Sequence, residues 1–421
     1  MASKLVYGID VGTTKVVAIV GRADSRWGWT EVLSLGEVPS HGLRRGMVVD
    51  REAATESVAA AIEDCGGVPR GVPVTVGIAG GHISSFNTEV TLLNRARNRT
   101  ITGRFRKRLE TEARQMHVGE DEKVIHVVPH SFILDGAEGV TQPIGLAARK
   151  VTMRAHIIAG AISGIQNLLG AVEDCGVKVS HVVLEPLASS EACLLDEDRS
   201  MGVAIIDMGG GTTDIATFMR GALMHTDVIP LGGESFSADV AYGLKIPFKT
   251  ADALKLRYGT VLSHDIDDVA AVKLDDKHYN ARFISQILEY RAYEVLEFVR
   301  DSMEKAGVRN LLPGGAVLTG GGSLLEGMDD LAEKVLGMRT RIATPRRLKG
   351  ESVPVRKPQY STAVGLLYFA AKNGDSASKS KGARIASFGS IVSAVKEWFG
   401  FFGEDGPEGA VRGKPMAGGR S

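Results

Sequence analysis

One pattern occurs twice in this chain and restricts its fold more than any other feature. An apolar strand, Leu5 to Ile9, ends in Asp10, passes through the small polar turn Gly12-Thr13-Thr14 and resumes as the strand Val16, Val17, Ile19 and Val20. The same order returns at Val203 to Phe218, where Ala204-Ile205-Ile206-Asp207 runs into Gly209-Gly210-Gly211-Thr212-Thr213-Asp214 and then Ile215 and Phe218. A single Gly-Thr-Thr turn is an ordinary hairpin. Two copies, each preceded by a strand ending in Asp and followed by another strand, predict two similar lobes that each open with a β-hairpin. At 421 residues the chain also exceeds the size at which one hydrophobic core keeps growing.

Between the copies, Arg51 to Glu63 carries Ala54, Val58 and Ile62 at helical spacing, and Gly66-Gly67 and Pro69 stop it ahead of the strand Val74 to Ile78. Gly160 to Asp174 repeats that logic before the strand Val179 to Leu184. The segment from His82 to Ala159 mixes strand-like runs with one charged helix, Gly103 to His117, and reads as an insertion into the first lobe. After the second hairpin, Ser235 to Phe298 is mostly helical, Ala316 to Gly322 is a strand ending in glycines, and Ser361 to Ala371 is a last apolar helix. Asn373 to Gly382 then has the composition of a flexible polar linker.

Several functions are disfavoured at this level. Lys+Arg and Asp+Glu are both 50, so no global charge attracts nucleic acid. The basic run Arg95, Arg97, Arg99, Arg104, Arg106, Lys107 and Arg108 lacks interleaved aromatics apart from Phe105, and reads as a solvated helix face or a protein contact. Cys65, Cys175 and Cys193 lie far apart and form no C-x-x-C pair, which fits a reducing compartment and buried thiols. No signal-peptide pattern and no bilayer-length apolar run is present, so a cytosolic protein with at most peripheral membrane attachment is expected.

Phosphate recognition needs backbone N–H donors, hydroxyls and a divalent cation, and a turn of small residues offers the first two at close range. Both turns have that composition. Asp10 and Asp207 end the entering strands, where each can hold Mg2+ through its water shell, and Lys15 adds a point charge. Leu318-Thr319-Gly320-Gly321-Gly322-Ser323 ends a further apolar strand in glycines before the helical Leu324 to Leu336, so backbone can approach a flat ligand such as adenine. Neither G-x-x-x-x-G-K-[ST] nor G-x-G-x-x-G at a strand–helix turn occurs, which removes the P-loop and Rossmann alternatives.

These three loops, in this order, resemble those of the actin, sugar-kinase and heat-shock-chaperone superfamily, where they meet across a cleft between two lobes and enclose Mg-ATP. The resemblance implies an α/β, actin-like two-lobed fold of duplicated ribonuclease-H-like domains. By motif it implies ATP and Mg2+ contacts from Asp10, Gly12, Thr13, Thr14 and Lys15, from Asp207, Gly209, Gly210, Gly211, Thr212, Thr213 and Asp214, and from Gly320, Gly321, Gly322 and Ser323. It further implies that Glu185, in Glu185-Pro186, orients the attacking water, and that Gly232-Gly233 and Asp252-x-x-Lys255 contact ribose and adenine.

Within the superfamily the chain is similar to the bacterial cell-division family FtsA over Lys4 to Phe402. Gly80-Gly81-His82-Ile83-Ser84, Ile101-Thr102, His126 to Pro129, Asp135-Gly136, Pro143-Ile144-Gly145 and His156-Ile157-Ile158 carry that likeness through the insertion, which takes the place of an actin subdomain. The chain departs from the family pattern at Leu146-Ala147-Ala148, where a second glycine is more usual, and in residues 404–421. The expected parts are a first lobe of residues 1–81 and 159–200, an SHS2-type insertion 82–158, and a second lobe of 201–230 and 306–372 bearing a helical subdomain 231–305. A linker 373–383, an amphipathic membrane-targeting helix 384–403 and a disordered tail 404–421 would follow.

In that terminal helix Ile385, Phe388, Ile391, Val392, Val395, Trp398, Phe399 and Phe402 gather on one face, and Lys379, Lys381 and Arg384 precede them, as suits a membrane surface rich in anionic lipid. The family resemblance implies an ATP-binding protein with slow or vestigial turnover that polymerises on the cytoplasmic face of the plasma membrane at the division site. It also implies binding of the FtsZ C-terminal peptide and recruitment of later divisome proteins, and it places the FtsZ contact on Ile284 to Lys305, where Arg291 and Arg300 supply charge. A pilus-assembly actin homologue of the PilM type, binding a short peptide, has a similar fold but no reason for the terminal amphipathic segment. A small-molecule kinase would need a sugar-binding segment that is not evident here.

Overall fold

The computed structural model describes residues 4–24, 29–69, 72–115, 118–349 and 354–378. β1 (Lys4–Val11) and β2 (Lys15–Asp24) form the first hairpin, followed by β3 (Trp29–Pro39). A two-rung hairpin of β4 (Leu43–Arg44) and β5 (Met47–Val48) leads into α1 (Arg51–Asp64), which Asp50 caps by accepting the Ala53 N–H at 3.1 Å. β6 (Pro73–Ile78) then pairs parallel to β1.

The insertion consists of β7 (Ile83–Leu93), α2 (Gly103–Arg114), β8 (Glu122–Leu134), β9 (Ala137–Val140) and β10 (Lys150–Ala161). Its antiparallel sheet has the order β7-β10-β8-β9, and α2 buries Phe105, Leu109 and Ala113 in a separate core with Val127, Met153 and Ile157. The chain returns to the first lobe through α3 (Ile162–Glu173) and β11 (Lys178–Leu184), and crosses to the second through α4 (Glu185–Cys193) and α5 (Asp196–Met201).

The second hairpin is β12 (Val203–Met208) and β13 (Thr213–Met219), extended by β14 (Ala222–Ile229). A mostly helical subdomain follows: α6 (Gly233–Leu244), α7 (Phe248–Tyr258), the hairpin β15 (Ala271–Leu274) and β16 (Lys277–Asn280), and α8 (Ala281–Lys305). β17 (Ala316–Thr319), α9 (Met328–Leu336), β18 (Thr340–Ile342), β19 (Leu348–Lys349) and α10 (Ser361–Ser378) complete the described chain.

The two lobes are built alike. Their sheets run β11-β6-β1-β2-β3-β19 and β14-β13-β12-β17-β18. In each, the strand ending in Asp lies between an antiparallel hairpin partner and a parallel strand from later in the chain. Helices α4 and α10 fill the space between the sheets, where Leu187 and Ala188 of α4 and Val364 and Leu367 of α10 share one core with Val17 and Ile19 of the first sheet and Ile205 and Phe218 of the second. The helices nearly touch at Gly365, where an added Cβ would lie 1.8 Å from the Ala188 carbonyl oxygen. The insertion also rests on the second lobe: Ser85 Oγ donates to the Thr226 carbonyl at 2.7 Å, and His156 Nε2 lies 2.9 Å from Thr226 Oγ1, covering the edge strand β14.

Three expected helices differ. α2 ends at Arg114, and His117 lies outside the described residues. The helix expected over Leu324 to Leu336 starts at Met328, because Gly327 takes a left-handed conformation at φ 80° and breaks the turn of 3-10 helix before it. α10 runs through Ala371 to Ser378, into the stretch expected to be linker. Helix formers Ala370, Ala371 and Lys372 carry it into a stretch of poorer formers, Asn373, Gly374, Asp375 and Ser376.

Candidate functional site: two glycine- and threonine-rich turns that meet between the lobes

The paired hairpins share one register. Asp10 stands opposite Val17 and Val11 opposite Val16, while Asp207 stands opposite Asp214 and Met208 opposite Thr213. Each turn is closed by the same bond, from the Gly12 N–H to the Lys15 carbonyl at 3.0 Å and from the Gly209 N–H to the Thr212 carbonyl at 2.9 Å. Gly12-Thr13-Thr14-Lys15 therefore corresponds to Gly209-Gly210-Gly211-Thr212. Matching the two Thr-Thr pairs, as the sequence invites, is out of step, because strand pairing sets the register whatever the turn side chains are.

The two turns meet across the lobes. A Cβ on Gly210 would lie 2.4 Å from Thr14 Oγ1, and one on Gly211 would lie 2.2 Å from Thr13 Oγ1, so glycines on one side make room for threonines on the other. Thr13 Oγ1 in turn accepts the Gly46 N–H at 2.9 Å, from the tight turn between β4 and β5.

The other sequence-predicted glycines pack around the second turn. An added Cβ at Gly232 would lie 2.7 Å from the carbonyl oxygens of Gly209 and Gly210. The N–H groups of Gly233 and Glu234, opening α6, donate to those same carbonyls at 2.9 and 2.8 Å. Lys255 Nζ donates to the Gly233 carbonyl at 2.9 Å and to Asp252 Oδ1 at 2.8 Å, and Ser237 Oγ holds Asp252 at 2.6 Å. Asp252 and Lys255 thus belong to the same assembly instead of forming an isolated helix pair. Gly320, at φ 81°, leaves only 2.4 Å between its would-be Cβ and Asp207 Oδ1, while Gly321 faces open space. Gly322 lies against Met208, and Ser323 Oγ donates to the Gly320 carbonyl at 2.7 Å.

Four carboxylates share this region. Burial, partly opposed by Lys15, raises Asp10 from 3.8 to about 7, and Asp207 adds to the rise. Burial also lifts Glu185 well above the ordinary carboxylate range, with Asp10, Asp214 and Asp207 pushing the same way. Asp214 is raised by burial and then by Asp207, and Asp207 by burial alone against the Thr362 hydroxyl, which donates to it at 2.9 Å. Asp214 Oδ2 accepts from Thr212 Oγ1 at 2.8 Å, but its buried Oδ1 has no hydrogen-bond partner among the described residues. Such a group of acids favours any bound positive charge. Among the described residues no three His, Cys, Asp or Glu side chains are grouped to bind one metal ion, so a cation here would be held through water and a ligand's own oxygens.

Lys15 does not stand free for a phosphate: its Nζ pairs with Glu37 at 2.9 Å and lies 4.2 Å from the Tyr360 ring centroid. Glu185 opens α4 beside Gly77, whose would-be Cβ lies 3.2 Å from Glu185 Cγ. The preceding Leu184 N–H donates to Nε2 of the fully buried His126, in β8 of the insertion, at 3.2 Å. Thr362 and Gly46 were not singled out by sequence, and His126 was noted only as part of a family motif, not as a neighbour of the site. Each is distant in the chain from what it touches, and a Ser-Thr pair at a helix start or a glycine in a hairpin turn is too common to flag.

The remaining predictions lie elsewhere. On α8, Arg291 binds both carboxylate oxygens of Asp239, at 2.5 and 3.0 Å, and pairs with Glu294. Arg300 pairs with Glu297 at 3.1 Å and Asp301 at 3.3 Å. Ile385, Phe388, Ile391, Val392, Val395, Trp398, Phe399 and Phe402 fall outside the described residues.

The model of the family "Cell division protein FtsA" matches residues 204–365, and that of the SHS2 domain inserted in FTSA matches residues 80–159. The cell division protein FtsA of Pseudomonas aeruginosa is 34% identical over 376 residues, 87% of this chain and 89% of its own. That of Neisseria meningitidis serogroup B is 33% identical, covering 93% of this chain and 96% of its own, and that of Escherichia coli K12 is 31% identical, covering 94% and 97%. Among solved structures, a PilM–PilN type IV pilus biogenesis complex superposes with a TM-score of 0.66 at 16% identity, covering 87% of this chain and 98% of its own. MreB 5 of Spiroplasma citri bound to AMPPNP gives 0.54 at 14% identity, covering 90% and 99%. The last two show the actin-like two-lobed fold, and the curated relatives, together with the family models, establish that the chain belongs to the FtsA family of cell-division proteins.

Proposed function

We propose that this chain binds ATP with Mg2+ in the cleft between its two turns, polymerises on the cytoplasmic face of the membrane, tethers FtsZ and recruits later division proteins. The observation that carries the nucleotide part is the convergence of two donor-rich turns on four carboxylates, Asp207 and Asp214 buried and Asp10 and Glu185 half-buried, with one oxygen of Asp214 orphaned. Phosphates fit the N–H groups and the hydroxyls of Thr13 and Thr14, and the cation that accompanies them relieves the repulsion among Asp10, Asp207, Asp214 and Glu185. Two solved structures of MreB 5, with a similar fold, hold AMPPNP and ADP. Glu185 is the group suited to orient a water, and burial together with Asp10, Asp214 and Asp207 raises its pKa, a rise that a bound cation would oppose.

Family membership supports FtsZ tethering, and α8 is the surface we assign to it. Tyr290 is 78% exposed and Phe298 46% exposed beside Arg291 and Arg300, so an acidic and apolar peptide would find both chemistries on one helix. Such a peptide has to displace Asp239 and Glu297 from the arginines. We expect Arg291→Glu and Arg300→Glu each to weaken binding of the FtsZ C-terminal peptide over about tenfold, measured by fluorescence anisotropy. Wild-type affinity in both variants removes α8 from the interface. Membrane attachment is assigned to residues 384–403, and Trp398→Glu should release the chain from anionic liposomes.

A further inference from the structure

The basic run noted in the sequence occupies one end of the insertion. Residues 93–108 and 141–150 contain no acidic side chain, and the structure zips the two segments together. The Asn94 N–H donates to the Arg149 carbonyl at 2.7 Å, Ile101 to Leu146 at 2.8 Å and Ala148 to Arg99 at 3.0 Å, and Thr100 forms a bridge with Ala147. Three basic groups are engaged locally: Arg106 pairs with Glu110 at 3.2 Å, and Arg99 and Arg149 face Asp135. Arg95, Arg97, Arg104, Lys107 and Lys150 are exposed and make no ion pair among the described residues. Between them project Leu93, Ile144 and Leu146, 50%, 50% and 46% exposed.

We infer that this end of the insertion is a second membrane-contact site, which lies against anionic lipid headgroups. The inference rests on the membrane attachment proposed above. Protein interfaces bury aromatic anchors and shed charge at their centres. Here the one aromatic in the two segments, Phe105, is buried in the insertion's own core, and what is exposed is cationic with isolated aliphatic tips. Scattered cations attract anionic lipid without a shaped groove, and short aliphatic side chains reach only the headgroup boundary. A terminal segment that holds the chain at the membrane raises the local lipid concentration, so even a weak second contact engages and fixes orientation. Two weak signals then achieve what one alone does not.

The test uses the full chain and its R95E/R97E/R104E/K107E variant in vesicle co-sedimentation, with phosphatidylcholine alone or mixed with phosphatidylglycerol, and sedimentation velocity without lipid. On mixed vesicles the variant should bind at least about tenfold more weakly than wild type. That difference should shrink as salt rises from about 0.05 to about 0.3 M. Its self-association without lipid should be unchanged. Wild-type binding by the variant overturns the inference while leaving the terminal anchor standing. Vesicle binding retained with self-association lost overturns it too, by making this end a contact between copies of the chain. If wild type itself ignores the mixed vesicles, the attachment reading fails and this inference with it.

Discussion

The two turns at the cleft share a backbone and divide the chemistry. Both hairpins have the same register and the same closing bond, yet the first carries Thr13, Thr14 and Lys15 where the second carries Gly210, Gly211 and Thr212. The first presents hydroxyls and the second makes room for them. Behind the turns the division is reversed: Val17 is apolar at the position where the second hairpin has Asp214. Duplication thus supplied two equivalent frames, and tip-to-tip packing requires them to differ, since two threonine turns would collide and two glycine turns would leave a gap.

The strongest way to break that comparison is to make the turns alike. Gly211→Thr places a Cβ and a hydroxyl where Thr13 Oγ1 already sits, at 2.2 Å, on a rigid backbone. We expect ATP affinity to fall about a hundredfold or more, measured by titration calorimetry, because the lobes are forced apart and the donors no longer converge. Adding Thr13→Gly should recover part of the loss by moving the small residue to the other side. Equal affinity in the single and double variants would show that the fit between the turns is not what matters.

A smaller effect tests the acid found only on the second hairpin. Asp214→Asn removes one charge and keeps the shape, so ATP binding with Mg2+ should weaken about tenfold while metal-free binding stays nearly constant. An equal loss in both conditions would mean that Asp214 shapes the turn through Thr212 and does not act on the cation.

The smallest effect is on stability. With Asp10 at about 7 instead of 3.8, the folded, ligand-free chain keeps a proton between those values that the unfolded chain has lost. That contribution is complete below the unfolded value and disappears as pH rises through the folded one. The unfolding temperature without nucleotide should therefore fall by about one to two degrees from pH 6 to pH 8, and Asp10→Asn should flatten the slope. Scanning calorimetry with no pH dependence in wild type would contradict the burial of these carboxylates.

Much of the fold was legible because its signals are local. Apolar runs ending in Asp marked both hairpins, and the glycines at 80 and 81 marked where the insertion departs, just before β7 begins at Ile83. The composition of the site was legible for the same reason. What escaped is set by contacts between residues remote in the chain: Thr362 on Asp207, Gly46 on Thr13, and Glu37 drawing Lys15 aside. The mispairing of the Thr-Thr motifs has a related cause, since identical letters attract the eye but backbone register decides which residues are equivalent. Arg291 was read from its charge, whereas its bidentate partner Asp239 lies on α6, which periodicity within α8 does not reveal.

The central claim is that the two turns form one nucleotide site. Titration of ATP with Mg2+ into the full chain tests it most directly, beside Gly210→Val, in which a Cβ would meet Thr14 Oγ1 at 2.4 Å. The account predicts saturable binding of one ATP per chain in wild type and none in the variant. A wild-type chain without saturable binding, or a variant that binds ATP as wild type does, would contradict it.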